Sequence, residues 1–161
     1  MLGREEGDDS TERVVGTEVR GRWVAWWVGT VPSSSQGPYS FDRVLLADVR
    51  GGRRVDVGGT GCEAPPRSDG LYHGRRVYGL ALTGAGRLAW ACYGGRVGDS
   101  FVEIRKFDAA GPGLLDREDG DEPGADFIDP GSLAIAADAG AAFRGRVFWS
   151  RRSGPRSADL R

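Results

Sequence analysis

The 161-residue sequence predicts an all-β chain of repeated four-stranded antiparallel meanders, and three observations carry that expectation. First, Gly21-Arg22-Trp23-Val24-Ala25-Trp26 is echoed by Gly86-Arg87-Leu88-Ala89-Trp90 and again by Gly145-Arg146-Val147-Phe148-Trp149. The tryptophans that end these segments are 64 and 59 residues apart. Second, Val44-Leu45-Leu46-Ala47-Asp48 ends in an aspartate three residues before Gly51, and Ile104-Arg105-Lys106-Phe107-Asp108 does the same before Gly111. Two independent markers with a common period indicate a repeated supersecondary unit. Third, 27 glycines punctuate short Val-, Leu- and Trp-rich runs, which favours turns between strands over long helices.

Taken in order, residues 1–12 are charged and predict a frayed acidic tail. Residues 13–19 form the first strand. Residues 22–28 form the second, with Trp23, Ala25 and Trp27 on one face and Val24, Trp26 and Val28 on the other. Both faces are apolar, so this strand is expected to be covered on both sides. Residues 42–49 give a third strand, Arg50-Gly51-Gly52-Arg53 a tight turn, and Val55 and Val57 a fourth. The pattern restarts at residues 77–83, 87–93, 101–107 and 113–116. An acidic connection over 117–131 leads to strands at 133–137 and 146–151. The chain stops about where a third strand of that unit is expected to begin. The units are thus 13–57, 77–116 and a half unit at 132–160.

Composition narrows the function classes. A net charge of -1 gives no electrostatic ground for nucleic acid or anionic lipid. No run of 18 or more apolar residues is present, so no membrane-spanning helix is expected. The start, Met1 to Asp9, is acidic and lacks the apolar core of an export signal. Read literally it predicts a cytoplasmic protein; if the chain is truncated at its N-terminus, it is extracellular or periplasmic.

Few residues suggest chemistry. His73 is the sole histidine and no Cys-x-x-Cys pair occurs, so a zinc site lacks ligands. No Gly-x-Ser-x-Gly elbow accompanies that histidine. Asp116, Glu118, Asp119 and Asp121 are weak calcium candidates. The EF-hand register fails there, because Pro123 and Pro130 take the fifth and twelfth positions. A solvated loop is the expectation, with no metal and no cofactor. Cys62 and Cys92 are the only cysteines and form a candidate disulfide. Trp26, Trp90 and Trp149 recur at one repeat position and predict a repeated core. Trp23, Trp27, Tyr39, Phe41 and Tyr72 are the candidates for a recognition surface.

Residues 80–90 (Leu80-Ala81-Leu82-Thr83-Gly84-Ala85-Gly86-Arg87-Leu88-Ala89-Trp90), followed by 102–111 (Val102-Glu103-Ile104-Arg105-Lys106-Phe107-Asp108-Ala109-Ala110-Gly111), resemble the blade repeat of TolB-like β-propellers. The resemblance implies four-stranded blades packed face to face around an axis. About two and a half blades are encoded, so the expectation is a piece of a longer propeller. The alternatives are a ring assembled from several chains, or sheets closed into a sandwich or barrel. The expected function is a non-catalytic scaffold whose loops bind a protein or peptide, with self-association through exposed outer blades. The competing class is part of a propeller hydrolase or lyase using loop carboxylates such as Asp48, Asp108 or the 116–122 run.

Overall fold

The computed structural model describes residues 11–31, 41–57, 76–96, 99–120, 126–136 and 145–161. Within them the chain is all strand and turn. The first sheet holds β1 (Thr11–Arg20), β2 (Trp23–Val31), β3 (Phe41–Asp48) and β4 (Arg53–Asp56). The middle sheet holds β5 (Arg76–Leu82), β6 (Leu88–Arg96), β7 (Asp99–Asp108) and β8 (Gly111–Asp119). The third holds β9 (Ile128–Ile135), β10 (Arg146–Arg151) and β11 (Gly154–Asp159). Each sheet runs in sequence order with every neighbour antiparallel, so each is a meander. The first strands lie side by side, β1 against β5 and β5 against β9.

Two departures from the sequence expectation concern the third unit. Its first strand begins at Ile128 rather than Leu133, because Ile128 is buried and its N–H is taken by Glu118 Oε2 at 2.5 Å. Its third strand is also present. Arg152-Ser153 turns the chain, Gly154 adopts φ 131°, and β11 pairs with β10 from Arg151–Gly154 to Arg146–Asp159. The unit is therefore three strands, not half a blade. Pro155 hid it from sequence reading, but proline is tolerated on an outer strand whose N–H faces away from the ladder.

The register shows how close the repeat is. Trp26 stands opposite Leu45, Trp90 opposite Arg105 and Trp149 opposite Arg156. Counting three residues back from each tryptophan places Asp48, Asp108 and Asp159 at the same point, closing the third strand of each sheet. The aspartate marker thus occurs three times. In the first two sheets it holds the following turn. Asp48 Oδ1 accepts from the N–H of Arg50 at 3.1 Å and of Gly51 at 3.2 Å, and Asp108 Oδ1 accepts from Ala110 N–H at 2.9 Å. Such side-chain mimicry of a backbone turn is what Asp supplies better than most residues.

Alternation along β6 organises the packing. Leu88, Trp90 and Cys92 belong to a buried cluster with Ala25, Val44, Leu46 and Val57 of the first sheet. Ala89 and Ala91 belong to a second cluster with Val147, Trp149 and Leu160 of the third. The strand covered on both sides is thus β6. Strand β2, expected to be covered on both faces, turns only Trp23, Ala25 and Trp27 toward another described sheet. The turn before β6 is fitted to that interface. Gly86 has φ 77°, and a Cβ there would lie 2.3 Å from the ring of Trp23.

Gly86→Ala is therefore expected to lower the free energy of unfolding by roughly 2–3 kcal/mol, from backbone strain plus collision with Trp23. Gly52→Ala has a similar φ of 64° but no atom within 4 Å of the new Cβ. It is expected to cost only about 1 kcal/mol. Urea unfolding of both variants measures the difference, which reports the Trp23 contact alone.

Candidate functional site

The tight turns β1–β2, β3–β4, β5–β6 and β7–β8 lie at one end of the sheets. At the other end lie the β2–β3, β4–β5 and β8–β9 connections, the short β6–β7 connection and the β10–β11 turn, since an antiparallel meander alternates its ends, while the β9–β10 connection lies at the tight-turn end. This second end is the candidate site, because long connections on a rigid frame are where binding residues concentrate. Its described part is built around Arg151.

Arg151 ends β10 and its side chain is largely buried. Its Nε donates to Asp116 Oδ2 at 2.9 Å and its Nη2 to Asp116 Oδ1 at 2.6 Å. Nη2 also donates to the Arg117 carbonyl at 3.0 Å, and Nη1 to the Asp126 carbonyl at 2.7 Å. One guanidinium thus joins β8, the β8–β9 connection and the end of β10. The planar fork suits this role in a way an ammonium does not. Asp116 receives a further bond from Trp149 Nε1 at 2.7 Å. Asp126 in turn fixes the β10–β11 turn, accepting from Ser153 N–H at 2.6 Å and Ser153 Oγ at 2.8 Å. Burial alone pushes the Asp116 carboxyl up. The bonds from Arg151 and Trp149, with the charge of Arg151, outweigh it and hold the group below the usual carboxylate value.

A second charged group sits on the opposite face of the middle sheet. Glu103 is buried on β7 and accepts from Arg105 Nη1 at 2.7 Å and Arg117 Nη1 at 2.9 Å. Arg117 also donates from Nε to Asp119 Oδ1 at 2.7 Å, and its guanidinium lies 4.4 Å from the centre of the Phe101 ring. The bond to Asp119 is the largest cause raising the Arg117 pKa. At the turn end, Asp108 Oδ2 accepts from Lys106 Nζ at 2.6 Å and from Arg161 N–H at 2.8 Å. Burial raises the Asp108 carboxyl, but these donors together lower it. Asp48 takes Arg22 Nε at 3.3 Å besides its turn bonds.

The residues singled out from sequence fall as follows. Asp116, Glu118 and Asp119 lie on β8 but do not converge: Asp116 faces Arg151, Glu118 the Ile128 N–H, and Asp119 Arg117. Asp121 lies outside the described residues, as do His73, Tyr39, Tyr72 and Cys62. Among the described residues no group of three or more His, Cys, Asp or Glu is placed to hold a metal. Phe41 opens β3 opposite Thr30. Trp23 and Trp27, read as surface candidates, pack against the cluster between the first and middle sheets, Trp23 on Gly86 and Trp27 on Gly16. Trp90 and Trp149 are buried, whereas Trp26, at the same repeat position, is half-buried under the guanidinium of Arg54. Cys92 is buried beside Trp90, and no free thiol occurs among the described residues. Sequence reading missed Arg151 and Asp126 as organisers. Their only signal was an arginine and an aspartate among many, since nothing in the spacing couples positions 25 residues apart.

No protein-family model, curated protein or solved structure matches the chain. Among the described residues no helix is long and apolar enough to cross a membrane.

Asp116 and Asp108 titrate lower in the folded chain than in the unfolded one, so the unfolded state binds more protons in acid. Their contribution is present above the unfolded carboxylate value of about 4 and is lost as pH falls through the lower folded values. Asp116→Asn is expected to cost of order 1–3 kcal/mol at neutral pH and to flatten the acid limb of the stability curve. Chemical denaturation of both proteins at a series of pH values measures this. An unchanged acid limb removes Asp116 from the account.

Proposed function

We propose that the three meanders are successive blades of a β-propeller-type scaffold, non-catalytic, that presents its long-connection end to a protein or peptide. The observation that carries the reading is the shared register. In each sheet the tryptophan of the second strand and the aspartate closing the third strand occupy the same places, and the first strands run beside one another. Successive blades around an axis share these features, whereas a barrel continues one ladder throughout. The architecture itself does not select an activity.

The disposition of charge favours a binding role over hydrolysis. Asp48, Asp108, Asp116 and Asp126 each accept from backbone, arginine, lysine or serine groups at short range. General acid–base work needs a carboxyl held above its usual value and open to substrate. Among the described residues the one carboxyl raised is Asp42, through burial, and its Oδ2 accepts from Val77 N–H at 2.7 Å in the seam between the first two sheets. That is an inter-sheet tie. The TolB-like character of the repeat belongs to the same proposal, as does a Cys62–Cys92 bond, which places the chain in an oxidising compartment.

Selection of the protein against a displayed random-peptide library, with hydrogen exchange to map the footprint, tests the binding role. Enriched peptides that protect residues 116–120, 126–128 and 151–153 are expected. Protection confined to the tight-turn end, no enrichment, or turnover in a panel of ester, peptide and glycoside substrates counts against it. For the cysteines, thiol titration of the denatured, unreduced chain is expected to find none. The bond would close a loop of about 30 residues and contribute roughly 3–4 kcal/mol. Two titratable thiols remove it.

A further inference from the structure

The third sheet differs from the other two at its last strand. β4 pairs with β3 and β8 with β7, whereas β11 is the edge of its sheet among the described residues. Val44 and Ile104, four residues before the aspartates that close β3 and β7, are fully buried. Pro155, at the same place in β11, is exposed, as are Arg156 and Ser157. The backbone tells the same story. Leu160 N–H bonds to Gly145 O at 2.8 Å, so the ladder turns Gly154, Arg156 and Ala158 toward β10 and Pro155, Ser157 and Asp159 away from it. In the first sheet the carbonyl corresponding to Pro155, that of Val44, takes Val57 N–H. Beside β11 the Pro155 carbonyl and both backbone groups of Ser157 are open to a partner.

The chain does not turn back at Asp159 to meet them. Asp48 and Asp108 hold tight turns into β4 and β8 through the N–H groups that follow them. Asp159 is instead taken by Arg146 Nε at 2.7 Å. Leu160 is buried in the cluster shared with the middle sheet, and Arg161 exchanges two bonds with that sheet, its N–H to Asp108 Oδ2 and its carbonyl from Ala109 N–H, both at 2.8 Å. The charge left over beside the edge is positive. Residues 145–161 hold five arginines and one carboxylate, Asp159. Arg146 is matched by Asp159 and Arg151 by Asp116. Arg152 is exposed, and Arg156 reaches a carboxylate, Asp126, only at 4.0 Å, where Ser153 and Arg151 already share it.

We infer that β11 takes an extended acidic peptide as the fourth strand of the third sheet, its main chain on Pro155 and Ser157 and a carboxylate opposite Arg156. The inference rests on the peptide-binding reading above and names the class of peptide and the way it is held. In strand addition the main-chain bonds supply affinity and alternate side chains set preference. Opposite charges directly across a strand pair stabilise it, and Arg156 is the exposed charge on that strand next to the open groups. Pro155 withholds the next donor along, which keeps the pairing short and guards the edge against indiscriminate association. A short strand suffices at this place, since β4 has four residues. The edge also begins where the β10–β11 turn, fixed by Asp126, leaves the long-connection end.

An acetylated, amidated octapeptide of alternating glutamate and threonine, titrated into the full chain with amide exchange followed by NMR, tests the inference. Its lysine–threonine counterpart is the control. The glutamate peptide is expected to slow exchange of the Ser157 amide, to bind at least about tenfold tighter than the control, and to weaken as salt rises. Ser157→Pro removes a donor that faces away from β10, and is expected to weaken binding at least about tenfold with unchanged circular dichroism. If that variant does not fold, Arg156→Glu serves, and is expected to reverse the preference between the two peptides. Equal binding of the two peptides, or binding that survives both substitutions, overturns the inference. So does a Ser157 amide already protected in the free chain, because the chain itself or a second copy then fills the edge. Library-selected peptides that protect residues 116–120 and 126–128 but leave Ser157 exchanging freely overturn strand addition alone and keep the binding end. Absence of any bound peptide overturns both.

Discussion

The structure depends on β6 being apolar on both faces with large side chains on one and small ones on the other. Leu88, Trp90 and Cys92 fill the seam with the first sheet, while Ala89 and Ala91 leave room for Trp149 from the third. Two sheets pack at about 10 Å, so a face of alanines meeting a face with an indole fills the layer where two indoles would overfill it. Replacing the Trp90 side chain by a methyl group would cost roughly 3–5 kcal/mol on the usual scale for aromatic truncation. A strand of this kind has no solvent face, so the middle sheet is stable only between two others.

Charge within and beside these layers is paired, the buried Glu103 with Arg105 and Arg117. The sheet-edge carboxylates are matched almost entirely by arginine, and the geometry explains the preference. Arg151 serves Asp116 and two carbonyls at once, and Arg117 serves Glu103 and Asp119 while lying on Phe101. A lysine makes one such contact well but cannot present several donors in a plane. Arginine, with Lys106 the only lysine of the sequence, is thus put to structural use where β8 and β10 meet.

Sequence reading captured the repeat because its markers are backbone-determined. Glycines at positive φ in the turns, an aspartate that caps the next turn, and a tryptophan in the second strand all act through local geometry. Periodicity also located ten of the eleven strands, within a few residues. It failed where tertiary context decides. Strand β11 has no apolar alternation, and only pairing with β10 makes it a strand. Strand β2 reads as covered on both faces, and Val28 on the face away from the middle sheet is indeed buried, though no other described sheet meets it. The Arg151–Asp116–Asp126 group was illegible for the same reason, being assembled from three elements.

One difference between the two seams follows from this layering. Asp116 receives the indole N–H of Trp149. In the first sheet the corresponding place, next along from the residue opposite the tryptophan's partner, is held by Val57, whose N–H bonds to Val44 O at 3.1 Å. Trp90, fully buried, accordingly has an indole N–H with no acceptor among the described residues. An unmet donor in an apolar seam costs about 1–3 kcal/mol. With Val57 instead of a carboxylate, the Trp90 indole sits in an apolar cluster with Val44, Val57 and Leu80, while the polar groups of that face, Asp42 on the Val77 N–H and Glu103 on Arg105 and Arg117, are paired among themselves. The seam that carries the carboxylate is the one tied by Arg151 to the long connections. The repeat thus leaves the indole of the first seam in an apolar setting and joins that of the second, through Asp116, to Arg151.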